Sequence, residues 1–94
     1  DLPDSVYKHL IDGKLYKLTF GKGHVDEPVL SEITNKTGVN FSILQGVVTE
    51  IQNQFFGQLI IKLSTTPELI EQVLVELNKY DVDVEEIKGG LIWM

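Results

Sequence analysis

The chain contains no cysteine and no arginine. The first absence removes disulfides, thiolate zinc sites, cysteine-ligated iron–sulfur clusters and a cysteine nucleophile from consideration. It fits a reducing compartment. The second leaves all positive side-chain charge to 8 lysines, set against 14 acidic residues for a net charge of -6. Nucleic-acid binders neutralise phosphates with clustered Lys and Arg and read bases through bidentate Arg. An acidic, arginine-free chain points away from that class. Long apolar runs are also missing: none approaches the ~20 residues that a bilayer crossing requires, so no direct membrane insertion is expected. The beginning of the chain is acidic rather than basic, so no secretory leader is expected either.

Catalytic and metal-binding patterns are equally sparse. His9 and His24 lie far apart with no partner at metal-ligand spacing, and they read as surface residues. Ser31, Ser42 and Ser64 lack a base and an orienting group for a nucleophilic triad. Gly21-Lys22-Gly23 does not meet the G-x-x-x-x-G-K-[ST] requirement of a P-loop and reads as a turn with a solvated lysine. Glu85-Glu86 reads as a solvated strand end, not an acid–base pair.

What is present is one small domain. The 94 residues are 43% apolar and 23% charged, ordinary values for a globular protein. A domain this size buries roughly 60–65% of its unfolded surface, so its core is thin and a partner subunit would reinforce it.

Asp1–Asp12 reads as a leading segment. Val6 with Leu10, and Tyr7 with Ile11, stand four apart and predict a short amphipathic helix over Asp4–Ile11, capped by Asp4 or Ser5 and ended by Gly13. Lys14–Phe20 then alternates as a strand. Tyr16, Leu18 and Phe20 face one way, Lys17 and Thr19 the other, with Leu15 an exception. Asp26-Glu27-Pro28 opens a helix, an acid serving as N-cap and Pro28 falling in the first turn. Val29, Leu30 and Ile33 form its buried stripe, and Gly38 suits the left-handed position beyond its end.

Val39–Gly46 is the most informative stretch, within an expected second strand over Val39–Ile51. It reads as a long strand with apolar residues on both faces: Phe41 and Ile43 on one, Ser42, Leu44 and Val48 on the other. Gly46 is a candidate bulge or close-approach point. Gln52-Asn53-Gln54 turns the chain into a third strand, Phe55–Leu63, burying Leu59, Ile61 and Leu63. Thr66 as N-cap, Pro67 at N1 and Glu68 near the positive dipole end start a second long helix. It runs to about Tyr80, burying Ile70, Val73, Leu74 and Leu77. Val82 and Val84 belong to a fourth strand, broken by Gly89-Gly90 before the apolar tail Leu91–Met94. That tail could cover a neighbouring subunit, pack on its own sheet or fray.

The order after the leading helix is β-α-β-β-α-β, an α+β, ferredoxin-like sandwich. Both helices cover one face of a four-stranded antiparallel sheet. The other face is expected to be open, carrying Leu15, Thr19, Ser42, Leu44, Val48 and Ile60. It is too apolar for an ordinary wet surface.

Three segments then carry a resemblance: Val25-Asp26-Glu27-Pro28-Val29-Leu30-Ser31, Gly38–Gly46 and Phe56-Gly57-Gln58-Leu59. In this order and spacing, over about Lys14–Ile87, they resemble the NIL domain. That domain is the C-terminal regulatory module of methionine-import ABC transporter ATP-binding subunits. The family is named for an Asn-Ile-Leu triad. Ser42-Ile43-Leu44 occupies those positions here, so a shorter side chain with a single hydroxyl replaces the amide.

The resemblance implies a parent protein whose upstream ATPase domain binds ATP and Mg. This chain would itself need no cofactor and catalyse nothing. It implies division into a linker helix, residues 1–12, and a regulatory domain, residues 13–94. It implies a homodimer, L-methionine as ligand, a permease subunit as partner through the parent protein, and a place at the cytoplasmic face of the cell membrane. The expected ligand contacts are Asp26, Pro28, Val29, Asn40, Ser42, Ile43, Leu44 and Gln45, with Leu44, Val48 and Ile60 at the dimer interface. Asp26 and Glu27 could hold the ligand's ammonium or simply cap the helix, and free N–H groups of that helix's first turn could take its carboxylate. Two alternatives stand beside this: a pure dimerisation or spacer module, and an ACT-like sensor of another apolar amino acid. A ferredoxin-like RNA binder ranks last, because the central strands lack basic-aromatic patterning.

Overall fold

The computed structural model describes residues 3–7, 13–21 and 28–88. Seven elements follow in order: α1 (Asp4–Tyr7), β1 (Lys14–Phe20), α2 (Val29–Thr37), β2 (Ser42–Ile51), β3 (Gln54–Leu63), α3 (Pro67–Lys79) and β4 (Asp83–Ile87). The strands form one antiparallel sheet in the order β2-β3-β1-β4. This is the split βαβ arrangement expected from the element order. His9, His24, Asp26, Glu27 and the tail Leu91–Met94 lie outside the described residues, as does the part of the leading helix beyond Tyr7.

The main core lies between the sheet and the two long helices. Tyr16, Leu18 and Phe20 of β1 meet Ile61 and Leu63 of β3, Val29 and Ile33 of α2, and Ile70, Val73 and Leu77 of α3. The start of α3 follows its sequence signals. Thr66 caps it by accepting a hydrogen bond from the Leu69 N–H at 3.2 Å, and Pro67 begins the helix. At the end of α2, Gly38 takes the left-handed conformation (φ 78°), and its N–H donates to the Thr34 carbonyl at 2.8 Å. Polar contacts tie the helices at their outer surface. Lys36 reaches Glu76 at 3.3 Å and lies 5.5 Å from the centre of the Tyr80 ring, while the Tyr80 hydroxyl donates to Glu32.

The second face of the sheet departs from expectation, because α1 folds back onto it. Val6 is buried with Leu15 and Ile60, and Leu44 and Ile87 pack against that cluster. Leu15 is therefore no exception to the alternation of β1: it faces the same side as Lys17 and is covered by α1. Elsewhere on this face Thr19 stands opposite Gln58 and Asp83, and Lys17 is paired to Glu85 at 3.4 Å.

The β2–β3 ladder contains the other correction. Gln52 and Asn53 both have positive φ (52° and 66°), which makes a tight two-residue hairpin turn. Pairing runs from Ile51↔Gln54 to Gln45↔Ile60, then shifts by one residue to Ile43↔Ile61. The extra residue is Leu44, so the bulge falls there and not at Gly46. Since residues paired across a ladder share a face, the shift sends Gln45, Val47 and Thr49 to the second face. Gly46 and Val48 turn toward the helices. Val48, expected on the open face with Leu44, is opposite Gly57, whose other neighbour is Phe20 of the main core.

Candidate functional site

The start of α2 is built differently from the start of α3. An α-helix leaves its first N–H groups without intrahelical acceptors. Pro28 occupies the N-cap of α2, one position earlier than the first-turn place expected, and makes no side-chain cap hydrogen bond. The first intrahelical bond runs from the Glu32 N–H to the Pro28 carbonyl at 3.0 Å. The opening turn, Val29-Leu30-Ser31, thus presents amide donors at the positive end of the helix dipole.

Those residues border a cavity of about 400 Å³. Its other walls are Phe20 at the end of β1, Gly46, Val47 and Val48 of β2, and Gly57, Gln58 and Leu59 of β3. The volume falls within the usual range for small-ligand sites, about 300–1,000 Å³. The described lining is mostly apolar and contains no titratable side chain. Its fixed polarity comes from backbone groups, the Ser31 hydroxyl and the start of α2. Chemically, the arrangement suits a small molecule with an apolar body and an anionic end.

A shallower groove of about 310 Å³ continues along β2 from the shared residues Leu30 and Ser31. It is lined further by Thr34, Asn35, Asn40, Phe41 and Ile43.

The residues singled out in the sequence are distributed among three places. Pro28 and Val29 line the main cavity, and Asn40 and Ile43 line the adjoining groove. Ser42 and Gln45 stand opposite Lys62 and Ile60, on the second face of the sheet, and Leu44 packs into the cluster beneath α1. The sheet separates these three from the cavity. Of the expected interface residues, Ile60 is 4% exposed and already covered within the chain, whereas Val48 is 61% exposed. Sequence reasoning missed Phe20, Leu30, Ser31, Gly46, Val47, Gly57, Gln58 and Leu59 as cavity residues. A signal existed in the two glycines, Gly46 and Gly57, within otherwise apolar strands.

A family model described as the NIL domain matches residues 14–86. The methionine import ATP-binding protein MetN 1 of Paraburkholderia xenovorans is 39% identical over 75 residues, covering 80% of this chain and 22% of that protein. MetN of Cupriavidus pinatubonensis is 36% identical over 94 residues, covering 94% of this chain and 27% of that protein. The chain therefore spans about a quarter of the length of these relatives. A solved structure, the C-terminal domain of an ABC transporter ATP-binding protein from Enterococcus faecalis, superimposes with a TM-score of 0.72 at 25% identity. It covers 92% of this chain and 96% of the other.

Proposed function

The chain belongs to the NIL domain family, and from that premise we propose that it is the regulatory domain of a methionine import ATP-binding protein. In this reading it binds L-methionine in the cavity between α2 and the β2–β3 hairpin. The observation that carries the reading is the coincidence of two features: an apolar cavity of about 400 Å³ and an α2 start whose N-cap residue offers no side chain to its amides. The amides of Val29, Leu30 and Ser31 receive the ligand carboxylate, and Phe20, Val48 and Leu59 surround the thioether chain, which suits apolar surroundings.

The parent protein in this reading hydrolyses ATP with Mg in a domain outside this chain. It assembles with a permease at the cytoplasmic face of the membrane. Among the described residues, no helix is long and apolar enough to cross a membrane. The domain pairs with a second copy, and ligand binding favours the subunit spacing in which transport is off. Such a bias equals the difference in affinity between the two spacings and not the affinity itself. A hundredfold preference supplies about 2.7 kcal/mol, which is in the usual range of allosteric coupling.

A second reading, a dimerisation module without a small ligand, is favoured by the edge strand β2. This strand ends the sheet and leaves Ile43, Val47 and Val48 about half exposed. A thermal-shift screen of the chain against the common amino acids separates the two. Methionine at a hundred times its dissociation constant is expected to stabilise the fold by about 2.7 kcal/mol. Dimers in light scattering with no response to any amino acid would leave the second reading.

A further inference from the structure

The face of the sheet opposite the cavity holds α1. Val6 of this helix is buried, and it packs with Leu15 of β1 and Ile60 of β3, which are buried as well. Leu44 and Ile87 complete the cluster. Asp4 and Ser5, just before Val6, are exposed. The described contact between α1 and the sheet is therefore a single apolar side chain set into an apolar patch. α1 also lies ahead of residues 14–86, the range matched by the family model.

Such a contact is weak by construction. A helix of 4 residues does not hold its own conformation in water, because nucleation is unfavourable. α1 is thus helical while docked and loses its helix when released. Burying the side-chain carbons of Val6, at about fourfold each, favours docking by on the order of 50-fold. Ordering the backbone of α1 subtracts from that. Docked and released forms therefore lie close in free energy, like segments that open while the rest of a fold stays closed. The path of the chain is nonetheless specific. A Cβ on Gly13 would stand 2.7 Å from Oγ of Ser64, 2.9 Å from Cγ of Lys62 and 3.1 Å from the Leu63 carbonyl oxygen. Glycine lets the chain press against the end of β3 just before Leu15 and the patch.

We propose that α1 is a releasable latch: docked on Leu15 and Ile60 it couples this domain tightly to the preceding part of the parent protein, and released it leaves a slack tether. The coupling role rests on the reading of the chain as a regulatory domain that follows an ATP-hydrolysing one. Docked, α1 fixes Val6 against the sheet. Released, Val6 reaches up to about 23 Å from Gly13, the span of the extended chain between them. A short tether transmits the subunit spacing that ligand binding favours, and a slack one does not. The cavity lies across the sheet, so in the isolated chain the latch leaves methionine affinity unchanged.

Spin labelling tests the latch in this chain, whose lack of cysteine makes Ser5→Cys a unique attachment site. The label is expected to show two components, an immobile one from docked α1 and a mobile one from released α1. Val6→Ala, which removes two methyl groups, moves their ratio about tenfold toward the mobile component. Val6→Asp leaves the mobile component alone, with the sheet still folded by circular dichroism. Should Val6→Asp not fold, the shift in Val6→Ala carries the test. In the parent protein, a released latch is expected to raise the methionine concentration that inhibits transport by about tenfold or more.

A label that is wholly mobile in the otherwise unaltered chain overturns the latch, as does one that becomes mobile only when the whole domain melts. A ratio that Val6→Ala leaves in place overturns it as well. Unchanged inhibition of the parent by methionine, with the label showing α1 released, overturns the coupling role and leaves the regulatory reading intact. An unaltered parent that methionine does not inhibit overturns that reading and the coupling role with it, whatever the label shows.

Discussion

The two helices of this domain start at different ends of the same sheet face, and the two ends are finished in opposite ways. At the α3 end, Thr66 accepts from the Leu69 N–H, so the shallow opening of about 480 Å³ that Gly13, Lys14, Leu63, Thr66 and Ile70 help to line faces a capped helix start. At the α2 end, Pro28 cannot act as a side-chain acceptor, and an apolar cavity of about 400 Å³ opens beside the helix start. Sequence patterns that favour stability are followed at the first end and set aside at the second. A helix start without a side-chain cap, beside an apolar cavity, leaves amide donors and room in the same place.

The largest effect is expected from emptying the main core. Ile61 is fully buried, and Ile61→Ala should cost about 2–5 kcal/mol in urea unfolding, from lost burial and the cavity left behind. The new cavity should not bind methionine, since no uncapped helix start faces it. If it did, apolar volume alone would explain binding and the contrast between the ends would lose its meaning.

Next in size is the α1 contact. Val6→Ala removes two methyl groups from the second cluster and should cost about 1–2 kcal/mol by the same measurement. Methionine affinity should be unchanged, because the sheet lies between Val6 and the cavity.

Exchanging the caps tests the comparison itself. Thr66→Ala should cost about 1 kcal/mol. Pro28→Ser supplies α2 with the missing acceptor, a gain of about 1 kcal/mol. Loss of proline's restriction on the unfolded chain offsets this by about 0.4–1 kcal/mol. Net stability should barely move, while methionine affinity falls because the serine oxygen competes for the amides. An affinity that rises would place the carboxylate elsewhere.

This contrast was only partly legible in the sequence. Thr66-Pro67 announced α3, and the βαββαβ order announced the sheet, because caps and alternation are local signals. The bulge at Leu44 was not announced. The hairpin turn fixes one register, and the pairing of Ser42 and Ile43 fixes another, so the extra residue belongs to neither segment alone. Val48 was consequently assigned to the wrong face, and of the cavity it helps to line only Pro28 and Val29 were foreseen. Leu15 reads as an exception in β1 for a similar reason. Its cover comes from Val6, and nothing within β1 specifies that contact.

The smallest effect concerns the polar tie between α2 and α3. Hydrogen bonds from Lys79 and Lys36 hold the Glu76 carboxyl below its usual pKa. Its contribution is complete above the ordinary carboxylate range and is lost as pH falls through the lowered value. The hydrogen bond to Glu32 raises the Tyr80 phenol, followed by burial. That contribution is present below the ordinary tyrosine value and is lost as pH rises through the raised one. Glu76→Gln should flatten the acid limb of a melting-temperature profile slightly, less so in high salt. Methionine binding should not change.

The most direct measurement is a titration of L-methionine into isotope-labelled protein, followed by amide chemical shifts. The account predicts that the amides of Phe20, Val29–Ser31, Gly46–Val48 and Gly57–Leu59 move together along one saturable curve, while Thr66 and Leu69 stay fixed. Shifts confined to Ser42–Gln45 and the second face, or no saturable shift at all, would contradict it.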